Sequence, residues 1–157
     1  MILFNIILNN KKHSMSTKKR PHCAGIIVFD KNRTVLVSTE RGHFSFPKGK
    51  RNKDETEIDA AWRELEEETG LTKNNVELIY LDAEKMESYC LDEYSDKGNL
   101  SIRYFVGKLV NPIKKFKFDP TELANVQWYT IEDAMNLDKF KQSRKNILQE
   151  AYKNFAA

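Results

Sequence analysis

Gly49–Leu71, GKRNKDETEIDAAWRELEEETGL, divides into a loop, a helix and a stop. Lys50–Lys53 is polar and basic, and Asp54 is the expected N-cap. Glu55, Glu57 and Asp59 bring negative charge to the first turns, where the helix macrodipole favours it. Gly70 is the expected C′ residue, with Leu71 supplying the hydrophobic contact beyond it. Wound at about 100° per residue, residues 57–69 separate into two faces. Ile58, Ala61, Trp62 and Leu65 gather on one, and Glu57, Glu64, Glu67 and Glu68 on its neighbour. Glu64, Glu67 and Glu68 stand at i, i+3 and i+4, where like charges repel. A solvated acidic face is the ordinary explanation for such a row. Here the acids border the apolar stripe and a glycine stands at each end, which favours neutralisation by divalent cations. Carboxylate oxygens suit Mg²⁺ or Mn²⁺, and Mg²⁺ usually arrives with substrate phosphates.

Gly49, Glu55, Arg63, Glu64, Leu65, Glu67, Glu68, Gly70 and Leu71 keep the spacing of the Nudix box, and the stretch resembles the Nudix hydrolases without departure. The resemblance implies an α+β fold, an α/β/α sandwich with a mixed sheet and a loop–helix–loop catalytic box. It also implies hydrolysis of a nucleoside diphosphate linked to another group. By the same resemblance, Glu64, Glu67, Glu68 and the Gly49 carbonyl are metal ligands, and Arg63 orients the box carboxylates. Glu55 and Gly70 then shape the box. The general base stays open among Glu64, Glu68 and a late-loop acid, for which FDPTELANVQWY offers Glu122. Family members often carry an acid just before the Trp of this segment; here Gln127 cannot ionise.

A chain of 157 residues, 40% hydrophobic and 31% charged, suits one soluble domain. Its net charge of +3 permits an anionic substrate without requiring a nucleic acid. Cys23 and Cys90 form no CxxC pair and read as reduced thiols of a cytoplasmic protein. MILFNIIL is too short to span a bilayer and lacks the flanks of a signal peptide, so no membrane partner is expected. Residues 1–14 are read as a non-catalytic extension and 15–157 as a single domain. Oligomeric state is not legible.

Strands are expected at His22–Asp30 and Thr34–Ser38 as a hairpin, then at Phe44–Phe46, Val76–Asp82, Leu100–Val110 and Val126–Thr130. Residues 83–99 read as a polar excursion, Asn111–Pro120 as a basic loop, Ile131–Leu137 as a helix and Phe140–Phe155 as an amphipathic closing helix. Lys48 and Lys50 flank Gly49 and are candidate phosphate contacts. Phe44, Phe46 and Tyr129, with His43 and Tyr104 behind them, are candidate base-stacking or core residues.

FSFPKGK entering the box resembles the mRNA-decapping branch. The ending VQWYTIEDAMNLDKFKQSRKNILQEAY resembles diadenosine tetraphosphate hydrolases, through its Trp, acidic helix start and Phe-Lys. Dinucleoside polyphosphates are therefore the first expected substrate and capped RNA, releasing m⁷GDP, the second. Diphosphoinositol polyphosphates and oxidised nucleotides follow. A non-catalytic nucleotide-binding module is the contrasting class, disfavoured by the intact set of acids.

Overall fold

The protein is described from a computed structural model over residues 20–157. The expected extension at 1–14 lies outside the described residues. β1 (Cys23–Asp30) carries the fold because both of its faces are apolar. Ala24, Ile26 and Val28 face one core, while Ile27 and Phe29 face another. Period-two alternation in a strand apolar on both faces demands a cover on each side. α1 (Glu57–Thr69) covers the first face with Ala60, Ala61 and Leu65. α2 (Ile131–Met135) and α3 (Gln142–Ala156) cover the second with Ala134, Leu148 and Ala151. Each large aliphatic side chain buried in these layers stabilises the fold by about 1.5–3 kcal/mol before entropy is counted. The result is the α/β/α sandwich expected of the chain.

The remaining strands are β2 (Arg33–Ser38), β3 (Phe44–Ser45), β4 (Lys48–Lys50), β5 (Val76–Leu78), β6 (Tyr80–Asp82), β7 (Glu87–Ser88), β8 (Cys90–Tyr94), β9 (Leu100–Leu109) and β10 (Asn125–Thr130). The main sheet runs β10–β2–β1–β9–β5, with β3 on β2, β4 on β1 and β8 on β9. β1 and β9 are parallel and the other pairs antiparallel, so the sheet is mixed. No helix among the described residues is long and apolar enough to cross a membrane.

Two expected elements differ. Val76–Asp82 is not one strand: β5 pairs with β9, whereas β6 pairs with β7 in a separate hairpin. The excursion at 83–99 contains β8, which pairs with the first half of β9 through Cys90–Tyr94. β5 takes Gly107–Leu109 on that same edge, so the chain must leave after Leu78 to make room. The box helix spans 57–69 as expected, but its N-cap is Thr56, whose side chain accepts from the Asp59 N–H, and not Asp54. Asp54 instead sits at φ +66 in the loop. Glu55 keeps the helix from starting earlier, because its carboxylate accepts from the Asn52 N–H at 2.9 Å. Gly70 closes the helix at φ +84, its N–H donating to the Glu66 carbonyl.

Candidate active site

β1 and β2 pair through Phe29–Thr34 and Asp30–Arg33 at one end and diverge at the other. There β1 takes β4 and β2 takes β3, so residues 44–50 enter the split between them. The Ile26 N–H donates to the Pro47 carbonyl at 3.2 Å and fixes this insertion. Gly49 consequently meets α1 so closely that a Cβ there would run into the Glu64 carboxylate. This close approach, rather than any unusual dihedral, is what requires glycine. Gly49→Ala should displace Glu64 and lower turnover about a hundred-fold, the cost of a misplacement near 1 Å. Thermal melting should change little, because the obstruction is the far end of a flexible side chain. A turnover assay beside a melting curve checks this, and an active alanine variant would remove the positional role of Gly49.

Arg63 gathers the acids around it. Its Nε and Nη2 reach the two oxygens of Glu55, each at 2.8 Å, while Nη1 donates to Glu64 at 2.9 Å and to Glu67 at 3.3 Å. Nη2 also donates to the Lys50 carbonyl, which joins β4 to the helix. The bidentate fork is a geometry lysine cannot reproduce. It holds the Glu55 carboxyl at about 2, well below the usual carboxylate range. Two further arginines brace the helix start. Arg20 donates to both oxygens of Glu57, and Arg51 donates to the Glu55 and Pro21 carbonyls. Neither stood out in the sequence, since Arg20 lies far from its partner along the chain.

The three box acids differ in setting. Glu67 is outermost, its side chain 57% exposed, whereas that of Glu64 is 13% exposed. Glu68 turns to β4, where the Lys48 backbone N–H donates to Oε1 at 2.8 Å. Burial pushes the Glu68 carboxyl up to about 7 against that hydrogen bond, and the charges of Glu64 and Glu122 add to the rise. Burial likewise raises Glu64, opposed by Arg63 and reinforced by Glu67 and Glu122. Glu122 is thus an exposed acid whose charge reaches the site from the 111–124 connection.

Among the described residues no three His, Cys, Asp or Glu side chains close a metal cage by themselves. Arg63 draws Glu64 and Glu67 to one side, and Lys48 draws Glu68 to another. The donor set nevertheless fits a hard divalent cation. It offers carboxylate oxygens, with Glu64 and Glu68 both pushed towards neutrality mainly by burial, beside a backbone held open by Gly49.

Aromatic candidates divide. Phe46 is fully buried, with Tyr104 and Phe140 at ring distances of 5.1 and 5.6 Å, so it presents no surface to a substrate. Tyr104 is core as well. Phe44 and Tyr129 are half-buried and meet edge to face at 5.7 Å, leaving ring surface available. Alternation in β4 turns Lys48 and Lys50 to the strand face opposite Gly49, and Lys50 is exposed.

An arginine-clamped row of carboxylates thus stands against Gly49 beside the split of a mixed sheet. The NUDIX domain model matches residues 19–151, and the chain belongs to the Nudix hydrolases, which generally need divalent metal ions. An RNA pyrophosphohydrolase of Histophilus somni (strain 2336) is 27% identical over 152 residues, covering 87% of this chain and 76% of that protein. An RNA pyrophosphohydrolase of Xanthomonas campestris pv. campestris (strain B100) is 40% identical over 62 residues, covering 38% of this chain and 30% of that protein. Among solved structures, the binary complex of the C. elegans Ap4A hydrolase superposes with a TM-score of 0.70 at 23% identity, covering 85% of this chain and 98% of that one. A NUDIX family hydrolase from Clostridium perfringens gives 0.67 at 15% identity over 87% and 99%. At these identities the structural likeness speaks for the fold.

Proposed function

We propose that the chain hydrolyses the phosphoanhydride chain at the 5′ end of RNA, with dinucleoside polyphosphates as the second substrate class. The observation that carries this reading is the extent of the match to RNA pyrophosphohydrolase, which runs along 87% of the chain rather than the box alone. The sequence placed dinucleoside polyphosphates first and capped RNA second; that match moves RNA ends ahead, with the 5′-triphosphate end as the form attacked.

Glu64, Glu67, Glu68 and the Gly49 carbonyl would hold Mg²⁺ or Mn²⁺. Bound there, such a cation would supply neutralisation of phosphate charge and a lowered pKa for the attacking water. The chain's own contribution is positioning. Arg63 and the Lys48 N–H aim the carboxylates, while the Lys48 and Lys50 side chains, on the strand face opposite Gly49, lie away from them. Phe44 and Tyr129 offer ring surface to the first base. Proton removal from water falls to Glu64, Glu68 or Glu122. The free thiols of Cys23 and Cys90 suit a reducing, cytoplasmic setting.

Product analysis at equal enzyme tests the reading, using 5′-triphosphorylated RNA, capped RNA and diadenosine tetraphosphate. Conversion of RNA ends to 5′-monophosphates should be fastest; faster release of ATP from the dinucleotide would restore the sequence-based order. Tyr129→Ala should raise KM about ten-fold through lost stacking, with kcat nearly unchanged.

A further inference from the structure

The 111–120 connection, NPIKKFKFDP, lies between β9 and β10 and takes no part in the site described above. Its residues sort by chemistry. Ile113, Phe116 and Phe118 pack on the core beneath α1, whereas Lys114, Lys115 and Lys117 are exposed. The Lys117 N–H donates to the Thr69 carbonyl at 2.9 Å, which ties the loop to the end of the box helix. Between loop and helix end lies a cavity of about 430 Å³ lined by Gly70, Ile113, Lys114, Lys115 and Lys117. No carboxylate lines it. Among the described residues none of the three ammonium groups joins an ion pair.

Lysines near a helix C-terminus have an ordinary role, complementing the macrodipole, and the last turn of α1 holds no basic residue of its own. The charges decide how far that role reaches. A helix end presents roughly half a negative charge. Three lysines within four residues exceed it several-fold, so the groove remains strongly positive.

We propose that this groove holds the phosphodiester backbone of single-stranded RNA whose 5′ end lies at the box acids. The proposal deepens the RNA-end reading and rests on it. Glu64 and Gly70 are six residues apart on the helix axis, about 9 Å at 1.5 Å per residue. An RNA chain places further phosphates along such a path. A dinucleoside polyphosphate ends in an uncharged nucleoside and gives the lysines nothing to bind. Phe116 and Phe118 are turned to the core, so the groove lacks a stacking wall and contacts the backbone without reading bases.

A short oligoribonucleotide bearing a 5′-hydroxyl has no phosphoanhydride to cleave, so its binding tests the groove apart from catalysis. Fluorescence anisotropy over a salt series should give similar affinities for oligo(A) and oligo(U). Replacing Lys114, Lys115 and Lys117 together by Ala should weaken binding at low salt about ten-fold or more. It should also flatten the slope of log K against log salt by about 2, at ~0.7 per contact on a single strand. The corresponding triple arginine variant should bind as the parent does, and a melting curve establishes that both variants are folded. Absence of binding by the parent, or unchanged binding and slope in the alanine variant, would overturn the groove. Cleavage of RNA ends that persists alongside either result would leave the catalytic reading standing. Parent binding without cleavage of any RNA end would sink that reading and leave the groove.

Discussion

Glu68→Gln is expected to lower turnover about a thousand-fold or more at saturating Mg²⁺, while thermal melting stays within a few degrees of the parent. The two halves of this outcome have separate causes. A thousand-fold loss corresponds to about 4 kcal/mol of transition-state stabilisation, the scale expected when a charged ligand is removed from a metal-assisted phosphoryl site. The fold tolerates the change because the Gln side-chain oxygen can still accept from the Lys48 N–H, now made at 2.8 Å. Burial already pushes the Glu68 carboxyl up to about 7, so a neutral side chain suits this position in the metal-free protein. Glu67→Gln should also lose most activity, and with even less structural effect, because Glu67 is largely exposed and only loosely held by Arg63. Near-normal turnover by both variants would remove these acids from the catalytic centre.

The box was legible because its residues serve one another within a single loop and helix. Arg63, Glu55, Glu64 and Glu67 lie within thirteen positions, and the matched box pattern marks them together although only Arg63 and Glu67 stand at helical i, i+4 spacing. The choice between Asp54 and Thr56 as N-cap was not legible. Both are good caps, and the decision belongs to Glu55, which has to reach back to Asn52 and forward to Arg63. β8 was missed for a different reason. Cys90–Tyr94 carries Asp92 and Glu93, which look like loop residues until their partners are seen. Those partners are Arg103 on β9 for Asp92, and Tyr104 on β9 and Arg144 on α3 for Glu93. Long-range pairing supplies the polar interior that local pattern reads as solvent. Phe44 and Phe46 show the same limit. Alternation gives them a common face but cannot tell the buried ring from the half-buried one.

Glu93→Gln is expected to cost about 3–5 kcal/mol of stability. Glu93 is 7% exposed, and the Arg144 side chain 11%. Arg144 donates through Nε to Oε1 at 2.8 Å and through Nη2 to Oε2 at 3.2 Å, and the Tyr104 hydroxyl adds a third bond to Oε1 at 3.1 Å. The glutamine leaves the guanidinium charged, buried and without a counter-ion, and it is that stranded charge which destabilises. At this chain length the loss corresponds to a melting temperature lower by about 10 °C. Arg144 also donates to the Phe44 carbonyl at 3.4 Å, while the Phe44 N–H donates to the Lys139 carbonyl. The same substitution should therefore loosen Phe44 at the aromatic edge. Replacing both partners, Glu93→Leu with Arg144→Met, removes the stranded charge and should recover most of the lost stability. Chemical denaturation of Glu93→Leu, Arg144→Met and the double variant measures the coupling as a cycle. A single variant destabilised by less than about 1 kcal/mol would mean that the pair behaves as an exposed ion pair and that the joint between α3 and β8 does not depend on it.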